Sequence, residues 1–207
     1  MDLGKEDTAL LVVDMQNGFC DSDGSMAKLG FDVDRLKEAI PGCERLVAAA
    51  RDAGVPVFFT QYVYQADFAD AGFVVNEIFP AIKDVDMCVD GTWDAEILDS
   101  LKPREKDIII KKNRPSAFYS TMLDSKLRSM KIDNLVICGV TTNICVETTA
   151  RDASQRDYRT FVVSDATAEV EQDRYEVALK SLGYLFARVM TVSEVFDSWN
   201  VELNNVA

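Results

Sequence analysis

Three side chains able to do nucleophilic or proton-transfer chemistry stand just beyond short apolar runs. Asp14 closes "ALLVVD", Lys112 follows "DIIIK", and Cys145 lies in "GVTTNICVETTARDA" after "NLVICG". An Asp can serve as general base, a Lys can hold developing charge, and a Cys can attack a carbonyl carbon. The sequence contains no histidine, which removes Ser-His-Asp and Cys-His catalysis, His-ligated zinc and imidazole acid-base chemistry together. Each of the three also has an ordinary structural role open to it. Asp14 can cap a turn, Lys112 can face solvent, and Cys145 can pack as a small hydrophobe, as Cys138 inside "NLVICG" is expected to.

What brings them together is the order of the elements. Short β-branched apolar runs alternate with segments of helical period, the pattern of an α/β fold with a mainly parallel sheet between helices. The strands are expected at Ala9 to Val13, Val55 to Thr60, Asp107 to Ile110, Asn134 to Cys138, Thr160 to Val163 and Arg188 to Met190, making a six-stranded sheet. A helix is expected over Pro41 to Ala53, with Pro41 in its first turn and Gly54 as its stop. Further helices carry Met122, Leu123 and Leu127 on one face, begin near Cys145, and repeat Tyr175, Ala178, Leu179, Leu182 and Phe186 at helical spacing. In open α/β sheets the carboxyl ends of the strands face the ligand crevice. Asp14, Lys112 and Cys145 then share one edge.

Near Cys145 the start of a helix and a nearby lysine both favour thiolate over thiol. The turn "GVTTN" can supply backbone N–H donors to a tetrahedral oxyanion. The stretch from Gln61 to Lys106 is less regular and rich in aromatics. It reads either as a lid or oligomer contact or as ordinary surface packing.

Composition sets the outer bounds. A chain of 207 residues suits one domain, 1–207. With 22 Lys and Arg against 35 Asp and Glu, its net charge of -13 argues against a nucleic-acid partner and against an anionic membrane surface, so neither is expected. The first apolar run is too short for a membrane span or a signal peptide, so a cytoplasmic protein is expected. Cys20, Cys43, Cys88, Cys138 and Cys145 are odd in number and lack a CxxC pair, which predicts free thiols.

From "ALLVVDMQNGF" through "KNRPSAFYST" and "GVTTNICVETTARDA" to "TFVVSDATAE", the chain resembles the isochorismatase-like cysteine hydrolases. Within them it is most similar to amidohydrolases of the N-carbamoylsarcosine and ureidoacrylate type. The resemblance implies a three-layer α/β/α fold and a catalytic triad of Asp14, Lys112 and Cys145. Lys112 is chosen over Lys111 by matching "RPSAF" to the family's Arg-Tyr-Ser-Ala/Gly-Phe, with Pro115 where the family often has Tyr. It also implies a cis Val140–Thr141 peptide, an oxyanion site made by the N–H groups of Thr141 and Cys145, and a dimer or tetramer. Nicotinamidases of similar sequence carry a His-rich metal site that this chain cannot build, and isochorismatases acting on a vinyl ether typically lack the cysteine.

The implied reaction is cleavage of a carbamoyl or amide C–N bond of a small molecule, with release of ammonia through a thioester and with no metal or organic cofactor. Asn17, Phe19, Tyr62, Arg114 and Phe118 are the candidates for substrate contact, Arg114 through a substrate carboxylate. A silent interaction module, a thiol redox sensor and a vinyl ether hydrolase are the competing readings.

Overall fold

The computed structural model describes residues 3–201. Six strands form one sheet: β1 (Thr8–Val13), β2 (Val57–Tyr62), β3 (Ile108–Lys112), β4 (Asn134–Val140), β5 (Arg159–Ala168) and β6 (Arg188–Met190). Their spatial order is β3-β2-β1-β4-β5-β6, and every neighbouring pair is parallel. The sheet is thus wholly rather than mainly parallel, with the chain reversing direction across it at β1. A crevice opens at such a switch point, outside the carboxyl ends of the central strands.

Alternation along β1 shows why the sheet is covered on both faces. Leu10 and Val12 join one core with Cys43, Leu46, Ala50, Val195 and Trp199 from the helices Ile40–Ala53 and Val192–Trp199. Ala9, Leu11 and Val13 join the other with Leu123 and Leu127 of Leu123–Ser129 and Ala150 and Ala153 of Glu147–Ser154. Each fully buried Leu or Val in these two layers contributes about 1.5–3 kcal/mol. Successive strand residues point to opposite faces, so a strand buried on both sides reads as an unbroken apolar run.

Several boundaries differ from the sequence expectation. The second strand is Val57–Tyr62 rather than Val55 to Thr60, because Gly54 at φ 73° and the turn after it use Val55 and Pro56. The third is Ile108–Lys112, so Lys112 is its last residue and not part of the loop beyond it. The fourth and fifth run on to Val140 and Ala168, with a shift in their pairing between Ile137 and Gly139. Gly139 is required there: at φ 106°, a Cβ on it would meet the Val13 carbonyl oxygen at 2.1 Å.

Beyond β2, residues 63–106 pack as short helical turns joined by loops. Tyr64 and Phe68 belong to the core, while Phe73 and Trp93 are exposed. Gln16 is wholly buried and fastens this segment. Its Nε2 donates to the Tyr62 and Ala95 carbonyls, and its Oε1 accepts from the Tyr62 N–H. Among the described residues no helix is long and apolar enough to cross a membrane.

Candidate active site

The end of β1 leaves the sheet through Asp14, whose φ of 50° lies in the left-handed region that Asp tolerates better than most residues. The neighbouring strand holds it there. Thr60 of β2 accepts from the Asp14 N–H at 2.9 Å and donates its own hydroxyl proton to Asp14 Oδ1 at 2.6 Å. One oxygen of the carboxylate is thereby fixed and the other, Oδ2, is turned towards β3.

Period-two alternation on β3 settles which lysine meets it. Ile110 and Lys112 face inward, while Lys111 points out and pairs with Asp90 at 2.7 Å. The Lys112 ammonium has three N–H donors and three acceptors: Asp14 Oδ2 at 2.7 Å, the Arg114 carbonyl at 3.1 Å and Cys145 Sγ at 3.5 Å. It also lies over the Tyr62 ring, 4.2 Å from the centroid.

Cys145 sits in a π-helical turn, Thr142–Val146, that runs straight into the helix Glu147–Ser154. The Val140–Thr141 peptide before it is cis. Ile144 and Val146 both donate to the Thr141 carbonyl, and Asn143 donates to Glu169 Oε2. Thr167 gives its hydroxyl proton to the Gly139 carbonyl at 2.6 Å, so Thr142 must be the donor in the 3.0 Å contact between the two threonines. The cysteine turn is therefore tied to the end of β5 from two sides.

Asp14, Lys112 and Cys145 are 0%, 3% and 4% exposed. Dryness changes the expected state of the sulfur. Burial pushes the Cys145 thiol well above its usual range; Lys112 opposes this, and the Asp14 carboxylate adds to it. The thiolate expected from the helix start and the lysine is thus not the resting form, because desolvation outweighs both. Burial would lower Lys112, but Asp14 and then Cys145 more than offset it and its pKa is raised. The resting centre is a lysine–aspartate ion pair beside a neutral thiol.

Other buried thiols share this shift. Burial raises Cys20 from 9.0 to about 12 and raises Cys43 and Cys88 as well. In each case the folded state holds a proton that the unfolded chain releases from about pH 9. Stability is therefore fully present below pH 9 and lost as pH rises through the folded values. The urea midpoint is expected to be flat between pH 7 and 8.5 and to fall progressively between pH 9 and about 12.

The structure divides the five candidate substrate contacts. Tyr62 borders the triad and shares a 2.9 Å hydroxyl contact with Tyr64, and the Phe19 ring packs at 6.3 Å from it. Arg114 stands two residues beyond Lys112, with Nη1 on the Asp70 and Asn113 carbonyls, and it has no carboxylate partner among the described residues. The Asn17 side chain is spent on the Trp93 carbonyl. Phe118 is a core residue, packed against Tyr158 and under Arg156. Neither of the last two is brought to the triad by these contacts.

Thr60 and Glu169 escaped sequence reasoning. Glu169 is 3% exposed and accepts from the Asn143 and Val170 N–H groups. It follows Ala168 at the end of β5, and the strand-end logic that selected Asp14 would have found it. Thr60 offered only the signal of a hydroxyl inside a buried strand. Replacing Thr60 with Val keeps the shape and frees the Asp14 carboxylate to turn. This is expected to lower kcat by roughly tenfold to a hundredfold with little change in KM, as read from steady-state kinetics.

Known proteins of similar sequence and fold place the chain in a family. The model of the isochorismatase domain matches residues 8–194. Ureidoacrylate amidohydrolase RutB of Azorhizobium caulinodans is 34% identical over 201 residues, covering 91% of this chain and 88% of that protein. Its counterpart in Methylorubrum extorquens is 37% identical over 198 residues, covering 90% and 80%. Among solved structures, a cysteine hydrolase from Pseudomonas syringae pv. phaseolicola superposes with a TM-score of 0.89 at 29% identity, covering 97% of this chain and 95% of the other. N-carbamoylsarcosine amidase from Thermoplasma acidophilum gives 0.73 at 29%, covering 90% and 96%. With its six parallel strands, its strand-end Asp and Lys and its cysteine turn, the chain belongs to the isochorismatase family.

Proposed function

We propose that this protein is a single-domain, cysteine-dependent amidohydrolase that cleaves a carbamoyl or amide C–N bond of a small molecule. The observation that carries the reading is the Lys112 ammonium, which bridges Asp14 Oδ2 and Cys145 Sγ in a largely buried site. Because the resting thiol is neutral, attack has to be coupled to proton transfer. Asp14 takes the Cys145 proton as the sulfur bonds to the substrate carbonyl carbon, and Lys112 stays between the two as the fixed positive charge. The N–H groups of Thr141 and Cys145 hold the oxyanion.

Asp14 then returns the proton to the leaving nitrogen, and ammonia departs from the S-acyl enzyme. Water, deprotonated by the same carboxylate, hydrolyses the thioester and restores the thiol. From a ureido substrate the product is a carbamic acid, which loses carbon dioxide to leave the amine. The low exposure and raised pKa of Cys145 speak against a redox sensor, which needs an accessible thiol of low pKa. Its presence in the turn favours acyl transfer over vinyl ether hydrolysis. Assembly as a dimer or tetramer is part of the same proposal, supported by the exposed Phe73 and Ile78.

Arg114 points to the substrate class. A guanidinium without a carboxylate partner, two residues from the catalytic lysine, suits a ureido or amide substrate that carries its own carboxylate. The test is ammonia release from ureido acids, N-carbamoyl amino acids, biuret-like compounds and neutral amides. Arg114→Gln is expected to raise KM for the acids by roughly tenfold to a hundredfold and to leave neutral amides unchanged. Equal effects on both groups would remove the carboxylate from the reading. Absence of ammonia from the whole panel, with no acyl adduct on Cys145 by intact mass, would remove the amidohydrolase.

A further inference from the structure

A cavity lies at the opposite end of β2 and β3 from Asp14, Lys112 and Cys145. It has a volume of about 600 Å³ and is bounded by the turn after the helix Ile40–Ala53, the loop before β3 and Met130. That size suits a small organic ligand. The five residues of β3 separate it from Lys112 by roughly 15 Å, so it is a distinct site.

Its lining is unusual for a chain of net charge -13. Arg51, Arg104 and Lys106 all face it. Arg51 donates through Nη2 to Asp107 and to the Lys102 carbonyl, yet its Nε is buried with no hydrogen-bond partner. That nitrogen has no accessible surface and does not reach the cavity, so the cations open to a ligand are Arg104 and Lys106, both exposed. Asp107 is already taken, by Arg51 and by the Arg104 N–H. Arg104 and Lys106 have no ion-pair partner among the described residues, and Glu105 is the one further carboxylate in the lining. One positive charge is therefore left over. Val55, Pro56, Val57 and Met130 supply an apolar wall.

We propose that this cavity binds a small organic monocarboxylate, its carboxylate held by Arg104 and Lys106 and its apolar body lying against Pro56 and Met130. The single excess charge matches a monoanion better than a phosphate dianion, and the apolar wall matches an organic body better than a bare ion. A guanidinium favours the planar acceptor geometry of a carboxylate.

Benzoate and inorganic phosphate serve as probes, titrated calorimetrically into the whole protein at low ionic strength while the 13C-methyl signal of Met130 is followed by NMR. Benzoate is expected to bind and to shift Met130. The double variant Arg104→Ala/Lys106→Ala, both sites being exposed, should weaken it at least tenfold. Glu105→Gln should tighten it roughly two- to fivefold by removing the opposing charge. Arg114→Gln and Cys145→Ala should leave it unchanged, which separates this site from catalysis. No binding at millimolar benzoate, loss of binding in Arg114→Gln, an unmoved Met130 signal or tighter binding of phosphate would each overturn the assignment.

Discussion

Cys145→Ala is expected to reduce ammonia release by roughly 10⁴-fold or more while leaving the fold intact. The size of the effect follows from the chemistry left behind. Without sulfur there is no covalent intermediate, and Asp14 could at best direct water at an amide whose leaving group is poor. The fold should tolerate the change because the side chain removed is small and the turn is held by other bonds. Asn143 to Glu169, Thr142 to Thr167 and the two donors to the Thr141 carbonyl are all untouched. Circular dichroism and the urea midpoint should therefore stay close to wild type. An acyl adduct trapped on wild type by intact mass and absent from the variant would place the chemistry on this sulfur. A variant that keeps a tenth of the activity would exclude nucleophilic catalysis by Cys145.

Lys112→Met should damage both activity and stability, for one electrostatic reason. Lys112 and Asp14 form an ion pair whose two side chains have no solvent exposure. Removing the cation leaves the carboxylate in the core with only the neutral Thr60 hydroxyl and Cys145 thiol as side-chain partners among the described residues, and breaking a buried pair from one side costs about 3–5 kcal/mol. Activity should fall by roughly 10³-fold or more, because the charge that balances the transferring proton and the forming thiolate is gone. The double variant Asp14→Asn/Lys112→Met separates the two consequences. It should regain most of the lost stability, since no buried charge is left alone, and regain none of the activity. Urea unfolding read alongside ammonia release checks both. Recovery of activity in the double variant would show that Lys112 serves the fold alone.

How far such reasoning reaches from sequence varied with the element. Leu10, Val12, Val136 and Val163 lie in runs so apolar that only a strand buried on both faces accommodates them, and the parallel sheet was legible from that alone. The ends of the strands were not. β2 begins two residues late because the Gly54 turn takes up Val55 and Pro56, and β5 extends through Ser164 and Asp165 because pairing with β4 continues past a register shift. Such shifts depend on the partner strand, which local pattern does not contain.

For the site, the residue types and their order determined the chemistry. A chain without histidine, with Asp, Lys and Cys each at the end of an apolar run, has few ways to attack a carbonyl, and the family motifs narrowed these to one. The tertiary structure decided what those residues are when they meet. Alternation in β3 turned Lys112 rather than Lys111 inward, the proximity of β1 to β2 gave Asp14 its Thr60, and the end of β5 supplied Glu169 to the cysteine turn. Above all, burial reversed the expected ionisation of Cys145. A helix start and a lysine can be read along a chain. The loss of water around a sulfur is a property of everything packed against it, and it exists only once the sheet and its two layers have closed.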